Sequence, residues 1–354
     1  MTSPTVTARL GSLIRLLIGR LASALGWLLL AWLAWQLWRW GVQHAVWLPD
    51  ADACRAAAHQ AGARGACWGV VTEKALPMLL GHYPAEAWWR PVAMLTGSSV
   101  MLAVWATAAP RHRLMLWGVA GLVWLPASVA LLHGGPLSLP VVPSDDWGGL
   151  PLTLLLFLSS WWLSVPIGVG LALARRQAGA MGWLATVVIE AIRGVPLVTL
   201  LFAAVFVLPL VLPQDATPPV LARAGVALVL FASAYLAEIV RGGLQTIPTE
   251  QHEAGEVLGL SHWGIQRRIV LPQAIRVALP ALTGHAIGLL KDTSLVVVVG
   301  LHELTGGLSL ALSGDPLWRP FYFEAYLFVG LIYALMCLAL SMGGRRLERR
   351  WLTG

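Results

Sequence analysis

A chain of 354 residues with 58% hydrophobic and only 12% charged side chains is not one soluble core, in which about 25% of residues are charged. The net charge of +7 is scattered in short clusters between apolar runs, so it encodes membrane topology and argues against a nucleic-acid surface. The 19 tryptophans suit the two membrane–water boundaries.

Arg9, Arg15 and Arg20 lie on a short amphipathic arm ahead of the first apolar run. No small-residue cleavage site follows, which predicts a retained anchor in place of a signal peptide. Each bilayer crossing takes about 20 apolar residues. Spans are expected near 21–42, 91–110, 114–132, 150–174, 186–211, 221–241, 277–299 and 321–343. The fold class is therefore all-α, a polytopic membrane protein with about eight transmembrane helices. The loops bearing Arg111/Arg113, Arg175/Arg176, Arg241 to Arg268 and Arg345 to Arg350 then share one side with both termini. The basic bias makes that side the cytoplasm.

Residues 43–90 fall on the opposite side. Cys54 and Cys67 there read as a disulfide closing a short loop in an oxidising compartment, or as two small buried thiols. Cys337, in the last span, reads as core. His133, His252, His262, His285 and His302 form no ligand pattern, so no metal site is expected. Neither lysine, Lys74 or Lys291, ends a glycine-rich phosphate loop, and no nucleophile–base pair stands out. The chain is expected to carry no catalytic residue and no cofactor of its own.

Ionisable residues inside spans are costly unless they face protein or water, about 2.5–3.5 kcal/mol each at a span centre. Glu190 and Arg193, three apart, share a helix face and can pair. Gly194 and Pro196 then break that helix, and a restarted helix would aim free N–H groups at a cavity. A substrate path and a structural salt bridge with a kink both fit. Lys291, Asp292, Thr293 and Ser294 lie about 22 Å of helix rise beyond Arg276, just past mid-membrane. They read as an unwound stretch lining a path, or as an ion pair that locks helix packing. Glu238, with Arg241 after it, reads as structural or gating.

Residues 249–272 are too polar for lipid and read as two short helices at a hinge. Thr249 is the expected cap of the first, Gly259 its stop, and Ser261 the cap of the second. Leu271-Pro272 is expected to turn the chain back towards the membrane. On physics alone this is an ordinary amphipathic loop or a docking elbow.

The elbow resembles the EAA signature of ABC-importer permeases in Glu253-Ala254, Leu258-Gly259, Ile269 and Leu271-Pro272. Gly255 stands where that family usually has a second alanine, which is expected to loosen the first helix slightly. The runs Ala234–Gly243, Leu271–Arg276, Lys291–Leu295 and Ile192–Leu197 look like the polar amino-acid branch of that family, the histidine/glutamate/glutamine-type permeases. Val195 replaces the more usual threonine, which removes a hydroxyl from that position. The likeness covers about residues 148–343, five spans of a type I importer core within 148–354. Residues 1–147, with three further spans and the external segment, resemble the extension of the longer M-type permease of general L-amino-acid transporters.

The resemblance implies a half-pathway that couples to an ATPase through Glu253, Ala254, Gly255, Leu258, Gly259 and Leu260. It implies a heterodimer with a second permease, two copies of an ABC ATPase that bind ATP and Mg, and a periplasmic amino-acid-binding protein. The substrate would be an L-amino acid and the location a bacterial inner membrane. Glu190, Arg193, Gly194, Pro196, Lys291, Asp292, Thr293 and Ser294 are the expected pathway residues. An ion- or proton-coupled secondary transporter is the alternative.

Overall fold

The computed structural model describes residues 6–59 and 65–352, with the side chains of residues 6–17, 58, 59, 110, 111, 137, 214, 351 and 352 left aside. The expected side chains of Arg9, Arg15 and Arg111 lie outside this description. Two compact units result, one of residues 1–73 with 317–325, the other of 74–316 with 326–354.

The first unit contains α1 (Val6–Trp38), which runs on as a π-helical turn over Arg39–Gln43, and α2 (Ala51–His59). Trp27, Leu28 and Leu37 are exposed on α1, and none of its membrane-length window is buried. A helix apolar all round and packed on nothing is suited to lipid. The disulfide reading of the two cysteines holds: Cys54 and Cys67 are bonded, with 5.3 Å between their Cα atoms. The N–H of Cys67 donates to the buried Glu324 carboxylate at 3.0 Å, and Trp40 packs edge-on against Phe323. Closing a loop of this length stabilises a unit by about 3 kcal/mol. Cys54→Ser is therefore expected to make residues 43–73 cleavable by a protease at concentrations that leave the oxidised wild type intact. Equal resistance in both would show that the bond contributes little.

The second unit is a helical bundle. Its elements are α3 (Gly69–Leu80), α4 (Trp89–Thr107), α5 (Pro110–Val119) with α6 (Leu125–His133), and α7 (Gly149–Ala174). There follow α8 (Ala180–Arg193), α9 (Leu197–Phe202) with α10 (Leu208–Val211), and α11 (Val220–Gln245). Next come α12 (Glu250–Val257), α13 (His262–Ile265), α14 (Leu271–Asp292), α15 (Leu304–Ser313) and α16 (Tyr322–Leu352), the residues of α3 before Lys74 and of α16 before Tyr326 belonging to the first unit. Each expected span falls largely on helix, with 108–109 outside it and 186–211 interrupted at 194–196. Among the described residues, six helices are long and apolar enough to cross a membrane, and the bent pair Ala180–Arg193 with Leu197–Val211 makes a seventh if it counts as one. α4 stays outside that set because Arg90 and the Thr96–Ser99 run dilute its hydropathy.

The bundle closes through small residues. A Cβ on Gly168 of α7 would stand 2.9 Å from the Ser233 carbonyl oxygen of α11, and one on Gly243 would stand 2.4 Å from that of Ala274 on α14. Glycine at these two points lets helix backbones approach in lipid, where close van der Waals packing replaces the hydrophobic drive. Several apolar cores result, and two of them position the site. One joins Leu152 and Leu156 of α7, Leu197 and Leu201 of α9, and Leu289 and Val296. The other joins Ala172, Ile189, Leu236, Val240, Ile265 and Val270.

Candidate functional site: an elbow, an ionic cluster and a polar cavity

The elbow forms as its sequence dictates, with three differences. α12 ends in a Schellman motif. The Leu260 N–H donates to the Gly255 carbonyl at 3.1 Å and the Gly259 N–H to that of Glu256 at 2.9 Å. Gly259 meets the left-handed geometry this requires, with φ 72°. Ser261 caps α13 by accepting from the Gly264 N–H at 3.2 Å. Thr249, by contrast, is in helical conformation and makes no side-chain cap, so its hydroxyl has no reach to the first free N–H groups.

Gly255 is not a loosening residue. It is buried against Ile265, whose Cγ1 would be 2.7 Å from an added Cβ, so the missing methyl seats α12 on α13. Nor does Pro272 turn the chain. A π-helical stretch, Gln266–Val270, leads directly into α14, and Pro272 lies in the first turn of α14. A proline tolerated in a first turn does not end a helix.

The two faces of the elbow differ. Ile265, Val270, Leu260 and Ile269 pack into the core that also holds Ile189 of α8 and Leu236 and Val240 of α11. On the other face Val257 is 87% exposed, Leu258 75% and Trp263 69%, beside exposed Glu253 and Ala254. Three large apolar side chains on a polar elbow form a surface that needs a cover.

Beneath the elbow lies an ionic cluster. Arg175, which follows α7, reaches Glu190 at 2.9 Å and Glu238 at 3.1 Å. Arg193 lies 3.8 Å from Glu190 and 3.7 Å from Glu238, with its guanidinium 5.6 Å from the Tyr235 ring centroid. Arg241 donates to Glu238 through Nε at 3.0 Å and through Nη2. Three guanidiniums share two carboxylates, and among the described residues the Arg193 Nε has no hydrogen-bond partner. The expected pairing of Glu190 with Arg193 is present, but the nearer partner of Glu190 is Arg175 at the C-terminal end of α7. That places the pair at a helix end, where long charged side chains find one another without crossing lipid. Immediately after it, Gly194–Pro196 separates α8 from α9 by a bend of 103°. Pro196 is extended ahead of α9, as a proline before a restarted helix requires.

Lys291 and Asp292 close α14, and Thr293–Val299 continues as a 3₁₀ helix up to Gly300 at φ 87°. The stretch expected to be unwound is thus wound more tightly. The buried Thr293 hydroxyl donates to the Leu290 carbonyl at 2.7 Å, and the Ser294 hydroxyl to that of Lys291 at 2.7 Å. These bonds favour the shorter turn, a geometry often found at hinges. Among the described residues neither the Lys291 ammonium nor the Asp292 carboxylate has a partner within the chain. An open cavity of about 240 Å³ is lined by Lys291, Ser294, Thr305, Tyr326, Gly330 and Tyr333.

Behind that cavity stands a group the sequence reading did not single out. Glu303, fully buried, caps α15 by accepting from the N–H of Thr305 at 3.0 Å and of Gly306 at 3.2 Å. It also accepts from the Tyr333 hydroxyl at 2.6 Å and the Thr153 hydroxyl at 3.4 Å. Burial raises its carboxyl pKa, and the hydrogen bonds from Tyr333, Thr305 and Gly306 oppose that rise. The signal in the sequence was one acidic residue directly before the apolar run 304–312.

Residues 164–353, more than half of the chain, match the model of the binding-protein-dependent transport system inner membrane component. The glutamate/glutamine/aspartate/asparagine transport system permease protein BztC of Rhodobacter capsulatus is 34% identical over 92% of this chain and 87% of its own length. The inner membrane amino-acid ABC transporter permease protein YhdY of Escherichia coli is 37% identical over 91% of this chain and 88% of its own. A solved structure described as an amino acid ABC transporter with histidines superposes with a TM-score of 0.51 at 33% identity, over 57% of this chain and 92% of that one.

Proposed function

We propose, for a chain that belongs to the family of binding-protein-dependent transport system inner membrane components, that it is the amino-acid permease subunit of an ATP-driven importer. It lies in the inner membrane and forms half of the translocation path. The observation that carries the reading is the two-faced elbow, apolar and bare outside, wedged inside between α7, α8 and α11. A rigid element that is seated in the bundle and uncovered on its far side is suited to take force from another protein.

The cover is the ATPase, present in two copies, which binds ATP and Mg. A second permease and a periplasmic amino-acid-binding protein complete the assembly. The elbow and both termini face the cytoplasm. Residues 1–147 form the extension with its periplasmic segment 43–90, and 148–354 the transporting core. Polar L-amino acids are the substrate class, in keeping with the glutamate, glutamine, aspartate and asparagine for which the Rhodobacter relative is named. The ion-coupled alternative has no support among the relatives.

Closure of the ATPase dimer shifts Glu253 to Leu260. Leu260 and Ile265 pass that shift to Ile189, Leu236 and Val240, with which they share a core. Arg175, Glu190, Arg193, Glu238 and Arg241 sit on the same three helices, so the shift reaches the break at Gly194 and Pro196. α9 packs on the 3₁₀ stretch through Leu197, Leu201 and Val296, which carries the motion to Lys291 and Asp292. The result is a coupling free energy between the ATP site and the amino-acid path.

Co-purification of the chain with an ATPase, and uptake that survives a collapsed proton gradient while ATP is present, test this reading together. Uptake that follows the gradient and ignores ATP would reverse it. Within it, Asp292→Asn is expected to lower transport on the order of tenfold at an unchanged amount of complex, the size of one lost charge-assisted contact. A matching loss of complex would instead make Asp292 an assembly residue.

A further inference from the structure

A second cavity, of about 150 Å³, lies between the α7–α8 connection and the elbow. Arg176, Gln177, His252, His262, Trp263 and Gln266 line it. Gln266 is 6% exposed, and its Oε1 has no partner. Among the described residues, nothing in the chain bonds the side chains of Arg176, Gln177, His252 or His262. A buried amide oxygen left unsatisfied costs about 1–3 kcal/mol, and its side chain lines this space together with four other uncommitted polar groups. One guanidinium, two imidazoles and two amides offer N–H donors around that space, and among the described residues no carboxylate lines it. Gln266 can present its amino group as readily as its oxygen by turning the amide plane. The complementary occupant is a carboxylate.

We propose that this cavity receives an acidic side chain of the docked ATPase. The inference rests on the permease reading above and extends it to a second point of attachment. Trp263 is shared between the cavity and the bare apolar face, so one partner surface covers both. An indole at the edge of a cavity with a charge pair inside it is the usual make-up of an interface anchor. The two adjacent arginines of the α7–α8 connection divide the work. Arg176 lines the cavity, while Arg175 binds Glu190 and Glu238. A carboxylate held by Arg176 therefore pulls on the segment that anchors the ionic cluster, and the motor grips the permease at two places.

The test uses the full-length permease in membranes, titrated with the purified ATPase partner. Arg176→Glu is expected to weaken binding about tenfold and to flatten its salt dependence, whereas Arg176→Lys keeps most of both. Leu258→Asp on the apolar face is the companion variant. Lost binding in Leu258→Asp with wild-type binding in Arg176→Glu would keep the docking reading and overturn the acid-receiving cavity. Wild-type binding in both would overturn the docking reading itself. A variant that does not insert is replaced by a labelling measurement. In a Cys337→Ala background, Gln177→Cys is expected to react with a maleimide in the free permease and to be protected once the ATPase is bound. Protection by free glutamate in place of the ATPase would make the cavity a metabolite site and overturn the proposal, as would full labelling in the complex.

Discussion

Glu303→Ala is expected to cost on the order of 3–5 kcal/mol, because it strips the partner from several buried donors at once. The N–H groups of Thr305 and Gly306, the Thr153 hydroxyl and the Tyr333 hydroxyl all converge on this carboxylate. Thr153 lies on α7 and Tyr333 on α16, so one side chain ties the start of α15 to two membrane helices. Heating the purified permease in detergent should show the variant melting well below the wild type. Glu303→Gln should fall between them, since an amide oxygen still accepts from the α15 N–H groups. Its pH behaviour supplies a second reading. The folded carboxyl is raised by burial, so its share of stability is complete below the ordinary carboxylate range and is lost as pH climbs through the raised value. Glu303→Gln should lack that loss. A wild-type melting temperature in Glu303→Ala would remove the residue from the architecture.

Gly259→Pro is expected to separate ATP hydrolysis from uptake. Proline fixes φ near −65° and has no N–H. The native residue has φ 72° and donates to the Glu256 carbonyl, so both halves of the helix stop are lost. The local cost is about 3 kcal/mol or more, confined to a connection at the edge of the bundle. The variant complex should insert and hydrolyse ATP, while uptake into proteoliposomes drops at least tenfold, by the estimate that a few kcal/mol at a coupling element removes most of a typical coupling energy of about 1–3 kcal/mol. Gly259→Ala, which pays only about 1–2 kcal/mol for a left-handed backbone, should lie between. Glu253→Arg, a charge reversal on the exposed face, should uncouple without touching the fold. Normal uptake in Gly259→Pro and Glu253→Arg alike would deprive the elbow of its role.

The features legible in the sequence are those fixed within a few residues. Apolar length set the spans, since a backbone in lipid must bond to itself. Gly259, Ser261 and Pro196 set a stop, a cap and a break, because each restricts its own dihedrals or offers a bond three residues on. The motifs around Glu253 and Lys291 carry the family resemblance in contiguous residues. Gly255 was misread for the same reason in reverse. Its intrinsic preference says loosening, while Ile265, ten positions away in the chain, makes it a point of contact.

Only the tertiary structure decided which charges meet. Arg175 read as a topology marker, yet it holds Glu190 and Glu238, 15 and 63 residues away. Glu303 bonds to Thr153 across 150 residues. No periodicity carries such pairings, because they depend on how glycines such as Gly168 and Gly243 set the distance and rotation of neighbouring helices. The sequence by itself determined the membrane class, the spans and the hinge of the elbow, since backbone sterics and lipid act locally. Bundle packing determined where the polar side chains gather, since a buried charge is stable only where a distant partner is brought to it.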